Sequence, residues 1–136
     1  MKKYFLIATL SIYTFFTQAQ TNFDSIPNIF FDIFEQKGSD AAIDYIYATN
    51  KYISGNFAAS LKVKNELKKV VSLIGKYRGT EVIDTQFIGQ SYIRLSYLAK
   101  FDRQPLKFNF TMYKPDKKWQ LQQLKFDDKV AAGFKD

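Results

Sequence analysis

The chain has no cysteine and no histidine among its 136 residues. That double absence excludes Cys–His and Ser–His nucleophilic machinery, thiolate zinc sites, haem-type histidine ligation, disulfides, CxxC redox motifs and a lipid-modified cysteine. Acid–base chemistry would rest on carboxylates, tyrosine or lysine. Proline (3) and glycine (6) are sparse, and no repeat, low-complexity tract or linker divides the chain. Acidic residues are in the minority too. Thirteen Asp and Glu against 20 Lys and Arg leave a formal charge of +7. What the chain has in quantity is aromatic side chains, with 14 Phe and 9 Tyr in a composition that is 46% hydrophobic. This is the composition of one globular domain with a ring-rich core.

The first twenty residues have the three parts of a secretory signal. Lys2 and Lys3 make a basic start, Tyr4 to Phe16 form an apolar stretch, and Thr17 and Ala19 are small residues at the positions a signal peptidase inspects. The stretch is shorter than the roughly 20 residues that span a bilayer comfortably. An uncleaved N-terminal anchor is the competing reading. Cleavage after Ala19 leaves residues 20–136 and lowers the formal charge by two, to +5. No later stretch is long and apolar enough to span. The expected mature protein is therefore exported, periplasmic or secreted, and soluble. Freedom from cysteine suits such a compartment.

Past the signal, apolar spacing predicts helices first and strands afterwards. Ile26, Ile29, Phe30, Ile33 and Phe34 recur at three- and four-residue steps from Ser25 to a stop at Gly38. Ser39 is placed to cap a second helix with Ala42, Ile43, Ile46 and Tyr47 inward. A third runs from about Phe57 to Ile74, burying Val63, Leu67, Val70, Val71 and Ile74, with its lysines mostly off that stripe. The period then falls to two. Thr80–Ile88 is a first strand with a weak pattern, whereas Ser91–Phe101, broken only by Leu98, and Pro105–Tyr113 alternate. Trp119–Phe126 slips phase after Leu121. Either a β-bulge near Gln122-Gln123 absorbs one extra residue, or the register is misread by one. The fold class expected is α+β, three helices covering one face of a curved, four-stranded antiparallel sheet.

This order, and the segment FTMYKPDKKWQLQQLKFDD from Phe110 to Asp128, resembles the nuclear transport factor 2-like superfamily, among small exported members without assigned activity. The resemblance implies a cone in which the helices close the concave side of the sheet. It implies a pocket rather than a particular reaction, since the superfamily holds isomerases, dehydratases and binding proteins. It transfers no functional residue.

Such a pocket would be lined by Phe30, Tyr47, Ile93, Tyr97, Phe108 and Phe110. A ketosteroid-isomerase-like reaction would draw its base from Asp44, Asp84 or Asp102 and its donors from Tyr45, Tyr47 or Tyr97. Parity turns Asp84 outward, Asp102 reads as a turn residue, and Asp44 lies beside the buried stripe rather than on it. Asp127-Asp128, flanked by Lys125 and Lys129, reads as a solvated strand end rather than a cation site. The lysines of the third helix read first as an ordinary solvated face; after that they suit weak contact with anionic surface polymers more than nucleic acid, because they lack interleaved stacking rings. The outer sheet face is the more informative surface. Tyr92, Arg94, Asn109, Thr111 and Tyr113 fall on it, and Tyr and Arg are enriched at interfaces. A wet sheet face with β-formers is the plainer alternative.

The function expected is therefore a non-catalytic binding or interaction domain, without cofactor or metal. It would take a small apolar ligand, an envelope protein or a second copy through the sheet face. The alternative is an isomerase or dehydratase using Asp and Tyr. Processing is directly testable. Intact-mass analysis of the exported fraction is expected to give a chain beginning at Gln20; a chain retaining residues 1–19 would overturn the signal assignment.

Overall fold

The aromatic content of the chain is spent on one contact, between the first helix and the middle of a sheet. The computed structural model describes residues 22–135; the predicted signal segment and Asp136 lie outside these. Helices α1 (Ser25–Lys37), α2 (Ser39–Ala48) and α3 (Phe57–Ile74) precede strands β1 (Tyr77–Ile88), β2 (Tyr92–Phe101), β3 (Leu106–Tyr113) and β4 (Gln120–Asp127). A short 3-10 turn, Val130–Gly133, follows. The strands form an antiparallel meander in the order β1-β2-β3-β4, with β1 and β4 at the edges. The fold is α+β.

The helix α1 presents Ile26, Phe30, Phe31 and Phe34 to the core. The inward stripe is rotated from the expected one, because Phe31 is buried and Ile29 is 42% exposed. The reason is ring packing. Phe31 meets Tyr97, Phe108 and Phe110 with ring centroids 5.3 to 5.6 Å apart, and it stacks on Tyr77. Only a large flat side chain fills that site.

The second helix runs as expected, but Ser39 is inside it and makes no capping hydrogen bond; Gly38, at φ 94°, stands at the cap position. A real side-chain cap opens α3, where Asn56 Oδ1 accepts from the Ala59 N–H. Gly75 ends α3 at φ 92°, and a Cβ there would lie 3.0 Å from Cβ of Asp102. The contact fastens α3 to the β2–β3 turn. Asp102 accepts from the Lys76 N–H and from Arg78, which hold its carboxyl below the ordinary range, while the Arg103 N–H donates to the Ile74 carbonyl. The α3 lysines are partly used inside the fold, since Lys64 pairs with Asp44 and Lys68 with Asp40, joining α3 to α2.

The phase slip in β4 is a bulge. Thr111 pairs with Gln123 and Met112 with Leu121, so Gln122 is the extra residue. Ile83 is a second one, in β1, between the pairs Val82–Tyr97 and Asp84–Ser96. Each bulge bends its strand and increases the local twist. The edge at β4 is partly sealed by the end of α2. Thr49 Oγ1 accepts from the Leu121 N–H at 3.0 Å, and Asn50 Nδ2 donates to the Leu121 carbonyl at 2.8 Å.

Phe108 touches rings from α1, β3 and β4 and is fully buried. Phe108→Ala is expected to cost about 3–5 kcal/mol by loss of transfer energy and creation of a cavity. Denaturant titration reads this, and a loss below about 1 kcal/mol would contradict the packing described.

Candidate functional site

All three helices pack on one face of the sheet, so the side chains of the other face stand clear of the core. A three-residue turn, Gly89-Gln90-Ser91, with Gly89 at φ 62°, sets the β1–β2 register. Residues equidistant from Gln90 therefore face each other: Ile88 with Tyr92, and Gln86 with Arg94. On β3, Tyr113 lies opposite Tyr92, Thr111 opposite Arg94 and Asn109 opposite Ser96. The five predicted outer-face residues, Tyr92, Arg94, Asn109, Thr111 and Tyr113, are thus brought together on adjacent strands.

Four connections give this face its form. The Tyr92 and Tyr113 rings are 6.3 Å apart across the strands. Ser96 Oγ donates to Asn109 Oδ1 at 2.6 Å, and Ser96 is buried despite its outer position. Arg94 Nη2 donates to Gln86 Oε1 at 2.7 Å, and Gln86 Nε2 donates to Asp84 Oδ2 at 2.6 Å. The last two form a relay. Asp84 polarises Gln86, and Gln86 fixes one edge of a guanidinium whose remaining N–H groups can donate elsewhere. Sequence reasoning turned Asp84 outward by parity but missed its link through Gln86 to Arg94. The signal was present, as counting outward from the Gly89 turn places Gln86 opposite Arg94.

The six predicted pocket residues separate. Phe30, Ile93, Tyr97, Phe108 and Phe110 are buried and belong to the core. Tyr47 is half-buried and lines a groove of about 220 Å³ with Ile53, Asn56, Leu121 and the bulge residue Gln122. Most small-molecule pockets are larger, at about 300–1,000 Å³. The candidate acids disperse as well: Asp44 is engaged by Lys64, Asp84 by Gln86, and Asp102 by Arg78. Asp127 Oδ1 accepts from the Lys129 N–H and closes the strand end. Among the described residues, no three acidic side chains converge as metal ligands would.

Tyr97 is the unusual member of the core. Its hydroxyl is buried without a hydrogen-bond partner. Burial, with a lesser contribution from the charge of Asp24, pushes the phenol from 10.0 up to about 12. Burial also raises Tyr45 and Tyr47. An unpartnered hydroxyl in an apolar core carries a desolvation cost that the same ring without oxygen avoids.

The chain matches no protein-family model, no curated protein and no solved structure. Its possible chemistry has to be read from its own side chains.

Tyr97→Phe is accordingly expected to leave stability unchanged or raise it by up to about 1 kcal/mol. It also changes the alkaline limb. In the wild type the folded chain holds the Tyr97 proton more tightly than the unfolded chain, so this group's stabilisation is complete below pH 10.0 and declines towards pH 12. The variant should fall less steeply across that window. Urea midpoints measured along the pH series test both; a clear loss of stability at neutral pH would show that the hydroxyl has a partner.

Proposed function

We propose that the chain is an exported, non-catalytic interaction domain that engages its partner through the outer face of the sheet. The observation that carries this reading is the Asp84–Gln86–Arg94 relay, held open beside the Tyr92–Tyr113 pair. A guanidinium oriented before binding loses less freedom when it docks, and its planar fork suits carboxylate or carbonyl acceptors. The partner of that chemistry is an acidic or carbonyl-rich protein surface. The exposed tyrosines supply flat contact area at small entropic cost. The ring-filled core supports binding at the surface rather than a reaction within the sheet's concave side. The resemblance to the nuclear transport factor 2-like superfamily is kept as part of this proposal, supported by element order and by the bulged last strand.

The double variant Tyr92→Ala with Arg94→Ala tests the reading. Both residues are exposed, so folding stability is expected to stay within about 0.5 kcal/mol for each site. Association should weaken, read by sedimentation for a second copy and by pull-down from envelope extract against the wild type. An unchanged partner set and unchanged assembly would retire the outer face as the site.

A further inference from the structure

One end of the sheet mixes uncovered apolar side chains with lysines that make no ion pair among the described residues. The β1–β2 and β3–β4 turns lie side by side there, joined by the Lys114 N–H donating to the Ser91 carbonyl at 2.8 Å. Phe87 and Ile88 close β1 at this end and are 52% and 73% exposed. Next to them stand Tyr92 and Tyr113, the last outer-face residues of their strands. The following turn carries Lys114, Lys117 and Lys118 against a single acid, Asp116. Beside the same end of β4, Lys51 lies over the ring of the exposed Tyr52, placed there by the grip of Thr49 and Asn50 on Leu121. Elsewhere four cations are engaged, Lys64 and Lys68 with α2, Arg78 with Asp102 and Lys100 with Glu81, while others such as Lys62 and Lys69 on α3 make no ion pair among the described residues.

Aliphatic tips, tyrosines and lysines in one rim are the chemistry of a bilayer interface. Tyrosine sits at headgroup depth, apolar side chains enter the acyl boundary, and lysines meet anionic lipid. A second, independent observation concerns the route of the chain. Phe23 packs edge-on against Phe87 with ring centroids 5.3 Å apart, so the chain preceding Asn22 joins the fold at this same end. The apolar stretch Tyr4–Phe16 lies only seven residues before Phe23, a reach of at most roughly 25 Å when extended. Before cleavage after Ala19, a bilayer that takes up that stretch holds this end of the sheet close by.

We propose that this end of the sheet docks on an anionic lipid surface. Phe87 and Ile88 enter the headgroup boundary, and Lys114, Lys117 and Lys118 contact lipid phosphates. A penetration of about 5–10 Å takes in two or three strand residues, the length of the exposed apolar tip. The proposal is independent of the Arg94 relay, because it uses the tip of the β1–β2 hairpin and the lysine turn.

The test uses residues 20–136 with vesicles of phosphatidylcholine, alone or mixed with phosphatidylglycerol. Because the chain has no cysteine, Ile88→Cys provides one thiol for a polarity-sensitive dye, and Asp128→Cys reports from the opposite end. The chain is expected to float with the anionic vesicles and not with the neutral ones. The dye at position 88 should shift to shorter wavelength while that at 128 stays put. Lys117→Glu with Lys118→Glu should weaken binding at least about tenfold, as each basic residue near such a surface contributes roughly fivefold. Lys62→Glu with Lys69→Glu on α3 should leave it intact. Absence of flotation overturns the proposal, and so does loss of binding through the α3 pair with retention in the turn pair. A lipid-independent dye shift that grows with protein concentration, with a dimer in sedimentation, also overturns it and assigns the tip to a second copy. Partner binding by the Tyr92→Ala, Arg94→Ala variant is read in detergent-solubilised extract without vesicles, so the two readings fail separately.

Discussion

Phe30 and Phe31, adjacent on α1, both lie against Phe108 and Phe110 of β3, and the rest of the molecule depends on that contact. Without disulfides or a metal among its described groups, the chain has to obtain its cohesion from burial alone, and aromatic rings deliver the largest burial per residue. Because α1 is held by two neighbouring rings rather than by a regular stripe, its rotation about its own axis is determined. That rotation decides which face of the sheet is dry. Everything on the other face, including Arg94 and the two tyrosines, is then left to solvent or to a partner.

The alternation in β2 and β3 was legible because a half-buried antiparallel strand imposes a period of two on its sequence. The bulge in β4 was legible for the same reason, as Gln122 interrupts a pattern that Leu124 and Phe126 resume. The face of α1 was less so. Ile29 and Phe31 are both apolar and one residue to either side of Phe30, so periodicity alone could not rank them; the ring geometry across the sheet did. Ser39 illustrates a second limit. It is a good cap by type, yet the left-handed backbone of Gly38 already makes the corner, and the helix begins one residue early. The outer-face residues followed from parity alone, whereas the Arg94 relay needed the turn length as well.

The lysines show how a one-sided charge balance is distributed by the fold. Those of α3 reach the acids of α2, so the helix that looked most like a basic surface gives two of its cations to internal pairing. Such exposed pairs contribute little stability, about 0–1 kcal/mol each. Their larger consequence is to join α3 to α2, while other lysines, those of the β3–β4 turn and Lys51 beside Tyr52 among them, make no ion pair among the described residues.

The two edges of the sheet are treated differently, and this asymmetry is the last link between sequence and surface. At β4, Thr49 and Asn50 occupy the backbone groups of Leu121, so the end of a helix does the work of a neighbouring strand. At β1 the described residues provide no such cover. Lysine is the usual guard of a free edge, yet the span from Gly79 to Ile93 contains no Lys or Arg in a chain that has 20 of them. Val82, Ile83, Phe87 and Ile88 are exposed along it. What restrains this edge is shape, since the bulge at Ile83 interrupts the regular row of donors and acceptors that an incoming strand would need. An edge kept free of lysine and arginine but bent suits contact through side chains at its tip more than pairing along its length.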